Sequence, residues 1–68
     1  MDGETRIIAR AARDFISAAD RMVNAEARVI KHRNGSIGQQ KAIVAWEKAD
    51  INYEQKKQRL LGVLEQLT

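Results

Sequence analysis

A single glycine-rich segment, Asn34-Gly35-Ser36-Ile37-Gly38, divides a chain of 68 residues that contains no proline. Glycine adopts the left-handed conformation that ends many helices, and Ser36 followed by Gln39 is the pattern of a capping box that begins the next one. The pattern predicts an all-α fold, an antiparallel two-helix hairpin in a single domain, 1–68. We expect helix 1 over about 3–33, a turn at about 34–36 and helix 2 over about 37–67.

The apolar residues of helix 1 cover more of its surface than one neighbouring helix would bury. Residues seven apart lie on one face of a helix, and Ile8, Phe15, Met22 and Val29 have that spacing, with alanines beside them. A second apolar line, Ile16, Val23 and Ile30, widens the face to about 160°, which favours contact with two or three helices.

Helix 2 offers large side chains opposite those alanines. Its predicted inner line is Ile43, Trp46, Asp50, Tyr53, Lys57, Leu60, Leu64 and Leu67, with a short second apolar line of Val44 and Ile51. An antiparallel hairpin would bring Tyr53 level with Phe15. Asp50 and Lys57 are either charges that fix the register of a partner or residues at the edge of the line. Gly62 indicates either a close helix contact or fraying beyond it.

A chain this short is expected to complete its hydrophobic core by self-association. Small domains are marginal alone and usually add disulfides, a metal or a partner. The chain has no cysteine and one histidine. We therefore expect a homodimer, most simply a four-helix bundle. Its predicted oligomer core is Ile8, Phe15, Met22, Val29, Trp46, Tyr53, Leu60 and Leu64.

The sequence contains no recognisable catalytic set. It has no cysteine nucleophile, its single histidine lacks the carboxylate pattern of a triad, and no glycine-rich phosphate loop is present. We expect a protein that is not an enzyme and binds no cofactor or metal.

The charge balance is mildly basic, with 12 Lys and Arg against 9 Asp and Glu. A partner could bind at an arginine line on helix 1 or at a basic hairpin tip, where free amides at the start of helix 2 would favour an anion. The alternative for both is an ordinary solvated surface, and Asp14 and Asp20 interrupt the arginine line. The candidate partner-binding residues are Arg6, Arg10, Arg13, Arg28, Lys31, His32, Arg33 and Lys41.

The layout as a whole resembles the plasmid copy-number regulator Rop, in which two antiparallel helices dimerise into a four-helix bundle. It is also similar to small helical-hairpin chaperones of type III secretion and to small phage-encoded inhibitors of bacterial proteins. Each resemblance covers the architecture of the whole chain and carries no residues over.

These observations favour a small regulator or inhibitor that acts by stoichiometric binding to a larger, unidentified protein. A Rop-like nucleic-acid binder is the second interpretation, and a structural or chaperone subunit of a larger assembly is the third. The chain has neither an apolar leader nor a run of about 20 apolar residues, so we expect a cytoplasmic protein without a membrane partner.

Overall fold

The computed structural model describes residues 3–67 and contains two long helices, α1 (Gly3–Lys31) and α2 (Ile37–Gln66). The helices pack against each other along their length, with Ile7 beside Val63 at one end and Arg28 beside Ala45 near the other. The two helices are therefore antiparallel, in a rod of 50 × 18 × 12 Å. This confirms the all-α hairpin, and no strand occurs among the described residues.

A tight turn connects the helices. His32 N donates to Arg28 O at 3.3 Å, and Ser36 N donates to Arg33 O at 3.1 Å. Gly35 has φ of 75°, in the left-handed region that glycine enters without steric cost. The Arg33 carbonyl accepts a hydrogen bond from Ser36 N and so closes the connecting turn instead of extending the helix. Helix α1 therefore ends at Lys31, two residues before Arg33.

Ser36 is the N-cap of α2, as its spacing from Gln39 predicts. Its Oγ accepts from Gln39 N at 3.1 Å. In an ordinary capping box Gln39 would reach the backbone N–H of Ser36. Here that N–H is bonded to Arg33, and Gln39 Oε1 instead accepts from Gly35 N at 2.7 Å, while its Nε2 donates to Asn34 Oδ1 at 3.0 Å. The cap therefore joins the start of α2 to the whole turn.

The interface between the helices has alanines at its centre. Ala11, Ala18, Ala25 and Ala42 are the buried residues of the described chain, and no larger side chain is fully buried. Phe15 and Tyr53 lie level, as expected, with ring centroids 5.2 Å apart at an interplanar angle of 36°. Such tilted pairs add a modest stabilisation beyond their buried area.

The inner side of α2 includes most of the line that the sequence predicts. Six of the eight predicted residues are half-buried, whereas Leu64 and Leu67 are exposed. The inner side also includes Ala42, Ala49, Lys56 and Val63, each one position before a residue of the predicted line, and all four are buried or half-buried. It is therefore wider than the predicted line, and its buried residue is Ala42.

Candidate functional site

The predicted oligomer core is only partly covered in the single hairpin. Seven of its members are half-buried, and Leu64 is 41% exposed. The seven are Ile8, Phe15, Met22, Val29, Trp46, Tyr53 and Leu60. Large apolar side chains therefore remain in contact with solvent on a protein whose buried residues are alanines.

Along one side of the hairpin, three depressions follow one another between α1 and α2, and we describe them together as a groove. From the open end toward the turn, they are bounded by 7–11, 14–21 and 21–28 of α1, opposite 59–63, 52–56 and 45–49 of α2. Ala11, Ala18 and Ala25 lie at its floor on the α1 side. With a rise of 1.5 Å per residue, the groove is roughly 30 Å long.

The walls of this groove carry most of the excess positive charge of the protein. The cations that line it are Arg10, Arg21, Arg28, Lys56 and Arg59, and the single carboxylate among its lining residues is Asp14. The whole chain has 12 basic and 9 acidic residues. Removing the groove residues leaves seven basic against eight acidic ones, so the net charge of +3 arises from the groove. We call this surface the basic groove.

Two apolar stripes lie away from the basic groove. On α1, Ile16, Val23 and Ile30 are 64%, 57% and 77% exposed, and on α2, Ile37, Val44 and Ile51 are 72%, 50% and 59% exposed. Helical residues are 100° apart, so Ile16 lies about 160° from Ala18 around α1. The same two-residue offset separates Val23 from Ala25, and Ile51 from Ala49. The floor alanines face the other helix, so both apolar stripes lie on outer sides of the hairpin, turned away from the helix–helix contact, and do not form one shared face.

The predicted partner-binding residues are distributed over several surfaces. Arg10 and Arg28 line the basic groove. Lys41 lines a shallow apolar depression with Ile37, Gln40 and Val44. The other five are exposed and line neither surface: Arg6, Arg13, Lys31, His32 and Arg33. The arginine line Arg6–Arg10–Arg13 is therefore divided, since Arg10 alone lines the groove.

Sequence reasoning missed three of the groove cations, Arg21, Lys56 and Arg59. Arg21 and Arg28 are seven residues apart, and each follows a floor alanine by three positions, which is a signal that the α1 sequence does contain. Lys56 and Arg59 have no such signal, because their place in the groove depends on how α2 is rotated against α1.

At the hairpin tip, the cap uses backbone groups that an anion would need. The amides of Gly35 and Gln39 are both bonded to side chains of the turn. His32 lies against Gly38, and an added Cβ at Gly38 would be 2.9 Å from His32 Nδ1. The basic residues at the tip therefore surround a turn in which the amides of Gly35, Ser36 and Gln39 already have partners.

Residues 3–67 contain no group of three or more His, Cys, Asp or Glu side chains placed to hold a metal ion. Within the same range, no buried side-chain polar atom lacks a hydrogen-bond partner. Neither helix is apolar enough over a sufficient length to cross a bilayer, as judged over the described residues.

Comparisons of the chain with protein-family models, with curated proteins and with solved structures find no match. The proposals that follow therefore rest on the residues and geometry of this chain alone.

Proposed function

We propose that this chain is a non-enzymatic binding protein that forms a homodimer through its incompletely buried large apolar side chains. The dimer regulates or inhibits a larger protein by stoichiometric binding. One observation carries the proposal. The residues buried within the hairpin are four alanines, whereas the large apolar side chains stay half-buried or exposed. Burial of large apolar side chains is the main stabilising contribution in a small domain, so this hairpin needs a partner to complete its core.

The accessible surface supports self-association. The hairpin exposes 5481 Å². A compact monomeric protein of this mass exposes about 4,300 Å², from the usual scaling of surface with mass. The excess of roughly 1,200 Å² exceeds the area of about 800 Å² that each partner contributes to a standard interface. A second copy packed along the rod would remove such an excess.

Half-buried large side chains that do not line the basic groove, Phe15, Met22, Trp46 and Tyr53, are the proposed contact between the two copies. The half-buried residues Asp50 and Lys57 lie on α2, seven residues apart. In an antiparallel pairing of two α2 helices, Asp50 of one copy would approach Lys57 of the other. Charges at such positions favour one register over its alternatives.

Stoichiometric occupation of a target surface is the mechanism that fits a rigid rod without catalytic groups. Dimerisation through the half-buried large side chains leaves the basic groove of each protomer on the outside of the bundle, because none of them lines it. The target is therefore expected to bind at a polar, charged surface, since non-obligate interfaces have roughly the polarity of the rest of a protein surface.

Sedimentation equilibrium of the wild type and of Met22→Asp tests the dimer. The wild type is expected to sediment as a dimer at micromolar concentration, and Met22→Asp as a monomer with reduced helicity. Asn24→Asp is the matched control, because it adds the same charge at an exposed position of the same helix that lines the groove and lies outside the proposed contact. A monomeric wild type, or equal loss of dimer in both variants, would contradict the proposed interface.

Affinity capture with the tagged protein, with and without nuclease, tests the target. Recovery of one protein in near-stoichiometric amount, unchanged by nuclease, is expected. If no protein is recovered at any salt concentration, binding to a larger protein is wrong.

A Rop-like nucleic-acid binder is the second candidate, and the five cations of the basic groove are the observation that favours it. A protein that neutralises several phosphates loses affinity steeply as salt rises, because it releases condensed counterions. Binding to a short RNA or DNA duplex that is unaffected between low and moderate salt would exclude this candidate.

A further inference from the structure

We infer that the basic groove is a docking site for an acidic amphipathic helix of a partner protein. This inference rests on the proposed function, since it names the chemistry of the target segment and the surface that binds it.

The shape of the groove matches a third helix laid between two others. Its three depressions follow one another between α1 and α2 over roughly 30 Å, at 1.5 Å rise per residue. The alanines Ala11, Ala18 and Ala25 at its bottom are already covered by α2. A docked helix would therefore lie over them and contact the exposed small side chains at the sides of the groove, such as Ser17 and Ala45.

The charge of the groove selects an acidic partner. Five cations stand on its walls, and its residues account for the whole positive net charge of the chain. Arg10 and Arg59 line one section together, near the end that Ile7 and Val63 share. Arg21 and Arg28 line the section toward the hairpin tip. A partner helix with carboxylates flanking its apolar line at both ends would therefore be complementary to this groove.

The middle of the groove favours a helix over a nucleic-acid backbone. Asp14 lies there with Ser17 and Asn52, beside the cations Arg21 and Lys56 of the same section. A phosphate backbone carries negative charge at every nucleotide, so it would pass this carboxylate at a cost. A peptide helix can place glutamates against Arg21 and Lys56 and a neutral or basic residue opposite Asp14.

The position of the groove makes docking compatible with dimerisation. Phe15, Met22, Trp46 and Tyr53, the side chains proposed for the dimer contact, do not line the groove. A dimer through them thus leaves both grooves exposed, and each protomer would take one partner helix.

NMR titration of the isotopically labelled full chain tests the inference. The probe is a 28-residue designed helix with alanine and leucine at heptad core positions and glutamate on both flanks, added at low ionic strength. A matched peptide with glutamine in place of glutamate reports apolar binding alone, and a 12-base-pair RNA duplex reports phosphate binding. The glutamate peptide is expected to shift the amide resonances of Ala18, Ala25 and Ala49, and to bind more tightly than the other two probes.

A pair of variants with equal charge change locates the site. Arg21→Gln with Arg28→Gln removes two positive charges from the groove. Ala27→Glu with Gln58→Glu lowers the net charge by the same two units at exposed positions outside it. The first pair is expected to weaken binding of the glutamate peptide about tenfold, and the second less than about threefold, since the contribution depends on proximity.

Three outcomes would overturn the inference: no saturable binding of the glutamate peptide, equal losses in both variant pairs, or tighter binding of the RNA duplex. The same variants separate it from the proposed function when used in affinity capture. If Arg21→Gln with Arg28→Gln still captures the larger protein at the wild-type level, the groove is wrong as the docking site and the proposed function stands. If the wild type captures nothing while the peptide binds in the groove, the proposed function fails by itself.

Discussion

Replacing Gly62 with alanine is expected to stabilise the protein. Gly62 lies inside α2, which continues to Gln66, and a Cβ added at this position would meet nothing within 4 Å. The glycine therefore marks neither a close contact between the two helices of the hairpin nor the end of α2. What remains is the entropic cost of glycine in a helix, which alanine removes.

The magnitude follows from helix propensity. Alanine is favoured over glycine by about 0.8–1.0 kcal/mol in a helix interior, and the proximity of Gln66 brings the expected gain to roughly 0.5–1 kcal/mol. In a domain of this size a change of 1 kcal/mol moves the Tm by about 4–8 °C. In a homodimer both protomers carry the change, so the free energy of unfolding per dimer increases by twice the amount per chain.

Gly35→Ala is the control of opposite sign. A Cβ at Gly35 would also meet nothing within 4 Å, but its φ of 75° lies in the left-handed region. The cost is therefore one of backbone conformation alone, about 1–2 kcal/mol. Two substitutions of glycine by alanine, neither with a steric clash, are thus expected to move the Tm in opposite directions.

Urea and thermal unfolding followed by circular dichroism, at two protein concentrations, measures both variants. The concentrations separate changes in the hairpin from changes in assembly, because the stability of a dimer depends on protomer concentration. A lower Tm for Gly62→Ala would refute the reasoning. It would mean that a second copy packs closely against Gly62 and that the open space beside it is filled in the assembly.

Further substitutions test the core, the cap and the tip. Substitution of phenylalanine by alanine in a filled core typically lowers the free energy of unfolding by about 3–5 kcal/mol. Because Phe15 is half-buried in the hairpin, the hairpin alone predicts a smaller loss for Phe15→Ala. A loss within the full range, measured by urea unfolding, would show that a second copy covers the ring. Ser36→Ala removes the acceptor of the Gln39 amide and is expected to cost about 1 kcal/mol in the same assay, with Ser36→Asn retaining most of it. Gly38→Ala is expected to displace the imidazole of His32, which NMR shifts of the ring protons would report; unchanged shifts would contradict the contact.

The two helices and the turn could be predicted because their signals are local. The seven-residue spacing of Ile8, Phe15, Met22 and Val29 defines α1, and the Ser36–Gln39 pair defines the start of α2. These signals depend on residues within one or two helical turns. Tertiary contacts do not have to be known to interpret them.

The basic groove could not be predicted, because it depends on the rotation of α2 about its own axis. Apolar residues lie on several sides of α2, and Ile43 and Ala42 are both plausible inner positions from the pattern alone. A shift of one residue is a rotation of 100°, which decides whether Lys56 or Lys57 lies beside the groove. The rotation of α2 is determined by how its alanines pack against those of α1. It therefore depends on the sequences of both helices together.

The closed turn also determines where pairing of the helices can begin during folding. The bond from Ser36 N to Arg33 O and the cap at Gln39 link residues at most a few positions apart, whereas Ile7 and Val63 are brought together across almost the whole chain. Closing a short loop costs less entropy than closing a long one, so contacts form first beside the turn and extend toward the open end. Amide hydrogen exchange should therefore be slowest near Ala25 and Ala42 and fastest around Gly62.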